Sequence, residues 1–93
     1  MILLECSKIG PGLRSDERTV AVADVRGYDV MVRVQEWQIS HIDGKTYIVA
    51  GLVGEDLAKD MALIELPQES DNGRWRVWAW RSAIRSAGAE SVA

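Results

Sequence analysis

Apolar and polar residues alternate along much of the chain, the pattern of β-strands whose side chains point in turn to opposite faces. The alternation is clearest in 28–34, where Val30, Val32 and Val34 share one face. Further runs rich in strand-favouring residues occupy positions 2–9, 17–25 and 45–53. The chain thus reads as a series of short strands that follow one another without helices.

Turn-forming residues separate these runs. Gly10-Pro11-Gly12 is a strong breaker, after which we expect an open loop to about Asp16. Residues 26–29 and 41–44 each contain a glycine between polar residues and are predicted to form tight turns. Connections this short favour an antiparallel meander.

The apolar phase slips by one residue after Val34. The next large apolar residues, Trp37 and Ile39, stand at odd positions instead of even ones. Because a slip of one residue moves every later side chain to the other face, we predict a bulge or sharp bend near residues 35–36.

The segment 54–66 admits two interpretations. Residues 55–66 are mostly good helix formers, carry acids in the first turn and end before Pro67, which is consistent with a helix. Residues 54–60 also read as a polar turn, followed by a short strand from Met61 to Leu66. We favour the turn and strand, because that strand pairs well with the tryptophan-rich stretch at 74–81.

These observations predict an all-β domain over residues 1–86, made of five to six antiparallel strands curled into a small barrel or roll. One helical turn after Trp80 would close it, with Ile84 packing across the open end, and residues 87–93 would be a flexible tail. In strand count and length this is similar to SH3-like barrels, although no family motif is present. The alternative is an α+β fold with one helix at 55–66.

Pairing Met61–Leu66 with Trp75–Trp80 defines a hairpin. The register that sets Glu65 opposite Arg76 gains from facing opposite charges. It also aligns the apolar positions, pairing Ile64 with Val77, Ala62 with Ala79, Leu66 with Trp75, Met61 with Trp80 and Leu63 with Trp78. The first three of these pairs would face the core, and the last two would form a second apolar face on the outside.

This outer face is the main functional lead. A contiguous apolar surface is either covered by the chain itself or serves as an interface. We expect a non-catalytic interaction module that self-associates or binds another protein through Met61, Leu63, Trp78 and Trp80.

The alternative is a module that binds single-stranded nucleic acid. Trp78 and Trp80 would stack on bases, while Arg74, Arg76 and Arg81 would contact phosphates. A third hypothesis is a small-molecule pocket lined by two other aromatic residues, Trp37 and Tyr47.

Composition narrows the choice of partner. The net charge of −3 and the pI of about 5.0 argue against a broad basic footprint for duplex DNA or anionic lipid. The apolar start is too short for a signal peptide, and no run of about 18 apolar residues could cross a membrane. We therefore expect a cytoplasmic protein that makes no membrane contact.

Few residues have catalytic potential. Cys6, the single cysteine, excludes an intrachain disulfide and is expected to be buried, while the single histidine, His41, is expected at the surface. Asp24 interrupts an apolar run, so it marks either a strand end or a buried carboxylate that needs a partner. The sequence predicts no enzyme, no metal site and no cofactor.

Overall fold

The computed structural model describes residues 1–7 and 9–87 of the 93-residue chain. That part contains no α-helix, so the predicted all-β class is confirmed and the alternative helix at 55–66 is wrong. Two short 3₁₀ helices occupy Glu36–Gln38 and Arg81–Ala83. The strands are β1 (Ile2–Cys6), β2 (Ile9–Pro11), β3 (Glu17–Ala23), β4 (Asp29–Gln35), β5 (Ile39–Ile42), β6 (Lys45–Asp56), β7 (Met61–Glu65), β8 (Arg76–Trp80) and β9 (Ile84–Ser86).

The strands form two antiparallel sheets. In the larger sheet the order is β8-β7-β6-β1-β9, and β5 lies beside the first half of β6. In the smaller sheet β3 lies between β2 and β4. β6 joins the parts of the larger sheet because it pairs with β1 and β5 early on and with β7 towards its end.

In the described part of the chain nine strands, most of them short, take the place of the predicted five or six, because the chain bends where longer strands were expected. The first run breaks at Ser7, and Gly10 and Pro11 then pair with Thr19 and Arg18 instead of opening a loop. Proline is tolerated in β2 because this strand is at a sheet edge. The strand expected over residues 2–9 is thus broken earlier, at Ser7, but β2 ends at Pro11 and the expected loop follows at residues 12–16 before β3.

The other turns fall close to their predicted places. The phase slip is absorbed by the 3₁₀ helix Glu36–Gln38, where the Gln38 side chain accepts a hydrogen bond from the Gln35 N–H at 2.8 Å. The turn expected at 41–44 is shorter, since β5 continues to Ile42 and only Asp43 and Gly44 have positive φ, at 53° and 78°. Two consecutive positive φ angles match the twist of a tight hairpin.

Both sheets contribute to one core. The largest fully buried side chains are Leu4, Val20, Val22, Val30, Val32, Val34, Ile48, Ile64 and Val77. Backbone hydrogen bonds of 2.9 Å join the segments of the two sheets, among them those from Ser7 N–H to the Ala21 carbonyl, from Val25 N–H to the Trp78 carbonyl and from Asp71 N–H to the Met31 carbonyl. The result is a partly open roll.

The chain after β8 behaves largely as predicted. A 3₁₀ turn at Arg81–Ala83 is followed by β9, in which Ile84 pairs with Leu4 and packs against the core. The predicted flexible tail at 87–93 lies outside the described residues except for Ala87. No helix formed by the described residues is both long and apolar enough to cross a membrane.

Candidate protein-interaction face

The hairpin of β7 and β8 has the predicted register. Glu65 pairs with Arg76, Leu63 with Trp78 and Met61 with Trp80. Burial alternates strictly along β8, where Val77 and Ala79 are fully buried and Arg76, Trp78 and Trp80 are exposed. One side of the hairpin therefore completes the core, and the other side faces outward.

The outward side is an apolar surface, which we call the tryptophan face and define as Met61, Leu63, Trp78 and Trp80. Trp78 is 36% exposed and Trp80 46%, while Met61 and Leu63 are half-buried between them and β6. Large apolar side chains that are contiguous and open to solvent are typical of contact surfaces.

β6 continues this face on the far side of β7. Its residues next to Met61, Leu63 and Glu65 are Asp56, Gly54 and Gly51, respectively. Two of these three positions have no side chain. The extra residue at the β-bulge between Leu52 and Gly54 is Val53, which is 43% exposed, so β6 adds a further apolar side chain beside these glycines.

The predicted arginines are not all at this face. Arg76 lies at its edge and pairs with Glu65 at 3.2 Å. Arg81 is in phase with Ala79, and its guanidinium contacts Glu55 at 3.1 Å and Asp60 at 3.2 Å, at the open end of the roll.

Arg74 points elsewhere, towards Asp24 at 3.3 Å in the turn between β3 and β4. All three arginines named in the nucleic-acid hypothesis are therefore paired with carboxylates. A phosphate would have to compete with these ion pairs.

Trp75 departs from expectation. It was predicted to face the core with Val77 and Ala79, but its side chain is 54% exposed. The ladder does continue to it, because its carbonyl accepts the Leu66 N–H at 2.8 Å. Trp75 precedes β8, and its ring lies between two surface grooves where no sheet covers it.

The proposed small-molecule pocket has no geometric support. Trp37 is 76% exposed on the 3₁₀ helix, whereas Tyr47 is buried in β6, with the Arg85 guanidinium 5.7 Å from the centre of its ring. Four grooves in the described part of the chain are lined by other residues.

The outer edge of β8 is partly closed. The Trp78 carbonyl, at the middle of the strand, accepts the Val25 N–H from the turn between β3 and β4. An occupied acceptor at this point hinders a further strand from adding to the edge. The accessible part of β8 is therefore its face.

Asp24 anchors the same turn. Its side chain is 2% exposed, and it accepts hydrogen bonds from the backbone N–H groups of Arg26 and Tyr28 and from the guanidinium groups of Arg26 and Arg74. Burial alone would raise the pKa of Asp24, but these bonds outweigh it and hold the pKa below its usual value. The residue is thus both a strand end and a buried, partnered carboxylate.

Cys6 and His41 lie where the sequence indicated, one buried and one exposed. Both pair with Thr46, from opposite sides of β6, so they are two strand spacings apart, about 10 Å. Burial, and to a lesser degree the charge of Glu5, raise the pKa of the Cys6 thiol to about 11. The two side chains therefore do not form a nucleophile and base pair.

Among the described residues, no group of three or more His, Cys, Asp or Glu side chains is arranged to hold a metal ion. Fold and face together define a small all-β protein with an exposed apolar sheet surface. Comparison with known protein families, with curated proteins and with solved structures finds no match to this chain.

Sequence reasoning missed two features of this region. Asp24 was noticed, but its pairing with Arg74 crosses between the sheets and leaves no local pattern. The irregularity of β6 could have been noticed, because Gly51 and Gly54 interrupt an otherwise strong strand.

Proposed function

We propose that this protein is a non-catalytic interaction module that self-associates through the tryptophan face. The observation that carries the proposal is the alternation in β8, which buries Val77 and Ala79 but leaves two tryptophans exposed beside Met61 and Leu63. Aromatic residues and methionine are enriched at protein interfaces, where the core of the contact is apolar and the rim polar. Here the pair of Arg76 and Glu65 supplies the polar rim.

The distribution of charged residues favours self-association over nucleic-acid binding. The chain is acidic overall, and the three arginines named in the nucleic-acid hypothesis are each paired with a carboxylate. Tracking a phosphate backbone requires several free cations. The cytoplasmic location expected from the sequence stays a prediction.

The test is the mass in solution, measured by light scattering from micromolar to millimolar protein at low and high salt. We expect a dimer that persists in high salt, because apolar contacts are not screened. Trp78→Ala should give a folded monomer, whereas Trp37→Ala, which removes a more exposed tryptophan (76% against 36%) from another surface, should stay dimeric.

A wild-type chain that is monomeric throughout this range would contradict self-association. Fluorescence titration with single-stranded nucleic acid and with peptides would then examine the remaining ligands of the face. A dimer that weakens steeply with salt would argue for a charged contact instead of this face.

A further inference from the structure

Trp75 lines two surface grooves that contain no residue of the tryptophan face. The first, which we call the loop groove, measures about 560 Å³ and is formed with the loop that follows β7. The second, the end groove, measures about 480 Å³ and lies where the larger sheet ends. The Trp75 side chain is 54% exposed where the two grooves meet. A large aromatic ring is therefore open to a ligand at this place.

The loop groove is built on a loop that hydrogen bonds hold in place. Ser70 is 5% exposed, its N–H donates to the Arg74 carbonyl at 2.7 Å, and its hydroxyl accepts the Arg74 N–H at 2.9 Å. The Asp71 N–H donates to the Met31 carbonyl at 2.9 Å, which ties the loop to β4. The groove therefore has its shape in the free protein, and a ligand need not order the loop.

One negative charge in the loop groove is unpaired. The charged side chains in its lining are Arg33, Asp71 and Glu69, of which Arg33 and Asp71 pair with each other at 3.4 Å. Glu69 makes no hydrogen bond or ion pair with any described residue. One of its carboxylate oxygens, Oε2, lies 3.6 Å from the place that a Cβ would take on Gly73. The groove thus combines an exposed indole with a carboxylate that has no partner.

We propose that the loop groove binds an arginine side chain from an extended segment of a partner protein. The guanidinium would stack on the Trp75 ring, where the electron-rich face attracts cations, and would pair with the Glu69 carboxylate. The rings of Tyr28 and Tyr47 already have an arginine of this chain near them, at 5.6 and 5.7 Å, whereas no described cation lies over Trp75. The site is separate from the tryptophan face, so the inference does not depend on the proposed self-association.

The end groove extends the site with an apolar surface. Its lining includes Val49, Leu66 and Pro67, and its one charged side chain, Glu65, is already paired with Arg76 at 3.2 Å. An uncharged, apolar side chain therefore suits it. In an extended peptide, alternate side chains lie on one face about 6.6 Å apart, so two of them can lie on either side of one ring. The expected ligand is a segment with arginine and, two residues away, a side chain such as leucine.

The test is an NMR titration of the full chain with the end-blocked peptide Gly-Arg-Gly-Leu-Gly. The indole N–H signals of the four tryptophans report where it binds. We expect the Trp75 signal to shift with a dissociation constant of about 1 mM, because each contact at an exposed site is weak. Citrulline in place of arginine keeps the shape but removes the charge and should weaken binding about 10-fold. Glycine in place of leucine should weaken it about 5-fold.

A matched pair of protein variants examines the carboxylate. Glu69→Gln should fold like the wild type, since the side chain is exposed and makes no described contact, and should weaken binding of the arginine peptide about 5-fold. Binding of the citrulline peptide should not change. Asp16→Asn is the control, because Asp16 is also exposed but lines neither groove, and it should leave both affinities as they are.

Three results would overturn the arginine site. They are equal affinities for the arginine and citrulline peptides, an affinity for the arginine peptide that Glu69→Gln leaves unchanged, and a Trp75 signal that does not move up to about 10 mM peptide. Shifts confined to Trp78 and Trp80 would also overturn it and place the peptide on the tryptophan face. The mass in solution is measured separately, so failure here leaves self-association standing.

Discussion

Asp24 and Arg74 are fifty residues apart in the chain, and the Arg74 guanidinium donates a hydrogen bond of 3.3 Å to the Asp24 carboxylate. The contact ties the turn between β3 and β4, in the smaller sheet, to the start of β8 in the larger one. The neighbouring bond from Val25 N–H to the Trp78 carbonyl does the same through the backbone. The hairpin that carries the tryptophan face is thereby fixed relative to the rest of the roll.

Asp24→Asn should destabilise the protein. The amide keeps the size of the side chain but loses the charge that two guanidinium groups contact in a buried place, and the cost should be about 1–3 kcal/mol. Urea denaturation measures it. The control is Asp71→Asn, because the pair of Asp71 and Arg33 is solvent-exposed on both sides and its loss should cost less than about 1 kcal/mol.

The ionisation of Asp24 should make the stability of the folded protein depend on pH. The pKa of Asp24 is lowered in the folded state, so its contribution to stability is complete above the ordinary value of 3.8 and is lost as the pH falls through the lower folded value. The difference in unfolding free energy between wild type and Asp24→Asn should therefore be constant near neutral pH and shrink below about pH 4. A difference that stays constant down to pH 2 would show that the charge of Asp24 contributes nothing to stability.

The two sides of β8 should respond differently to a new charge. Ala79→Asp would bury an unpaired carboxylate in the core and should prevent folding, at a cost above about 4 kcal/mol. Trp80→Asp places the same charge on the exposed side, so this variant should remain folded. Circular dichroism melts distinguish the two, and an unfolded Trp80→Asp would place Trp80 in the core.

Cys6 should react slowly in the folded protein. Its pKa of about 11, against an ordinary 9.0, leaves about one hundredth of the thiolate that a free cysteine has at pH 8, and the side chain is also buried. The rate of reaction with a thiol reagent should therefore rise by about 100-fold or more in strong denaturant. In a Ser15→Cys variant the added thiol, which lies in an exposed turn, should react fast without denaturant. Rapid modification of native Cys6 would contradict its burial.

The pattern of apolar and charged residues in the sequence correctly predicted the hairpin that carries the tryptophan face. The register of β7 and β8 followed from one ion pair and the matching apolar positions, because a shift by one residue would have turned every side chain to the wrong face. The same pattern did not predict that the Trp75 side chain is exposed. That residue lies in phase with Val77, but the larger sheet ends before it can be covered.

By itself, the sequence determined the all-β class, most of the turns and the two-sided character of β8, since these depend on the period of two in a strand and on residues that favour turns. Only the tertiary structure decided that Arg74 reaches Asp24, that Arg81 is held by Glu55 and Asp60, and that Gly51 and Gly54 lie beside the tryptophan face. These relationships join residues far apart in the chain. They depend on how strands pair and sheets pack, which the local pattern of apolar and polar residues does not reveal.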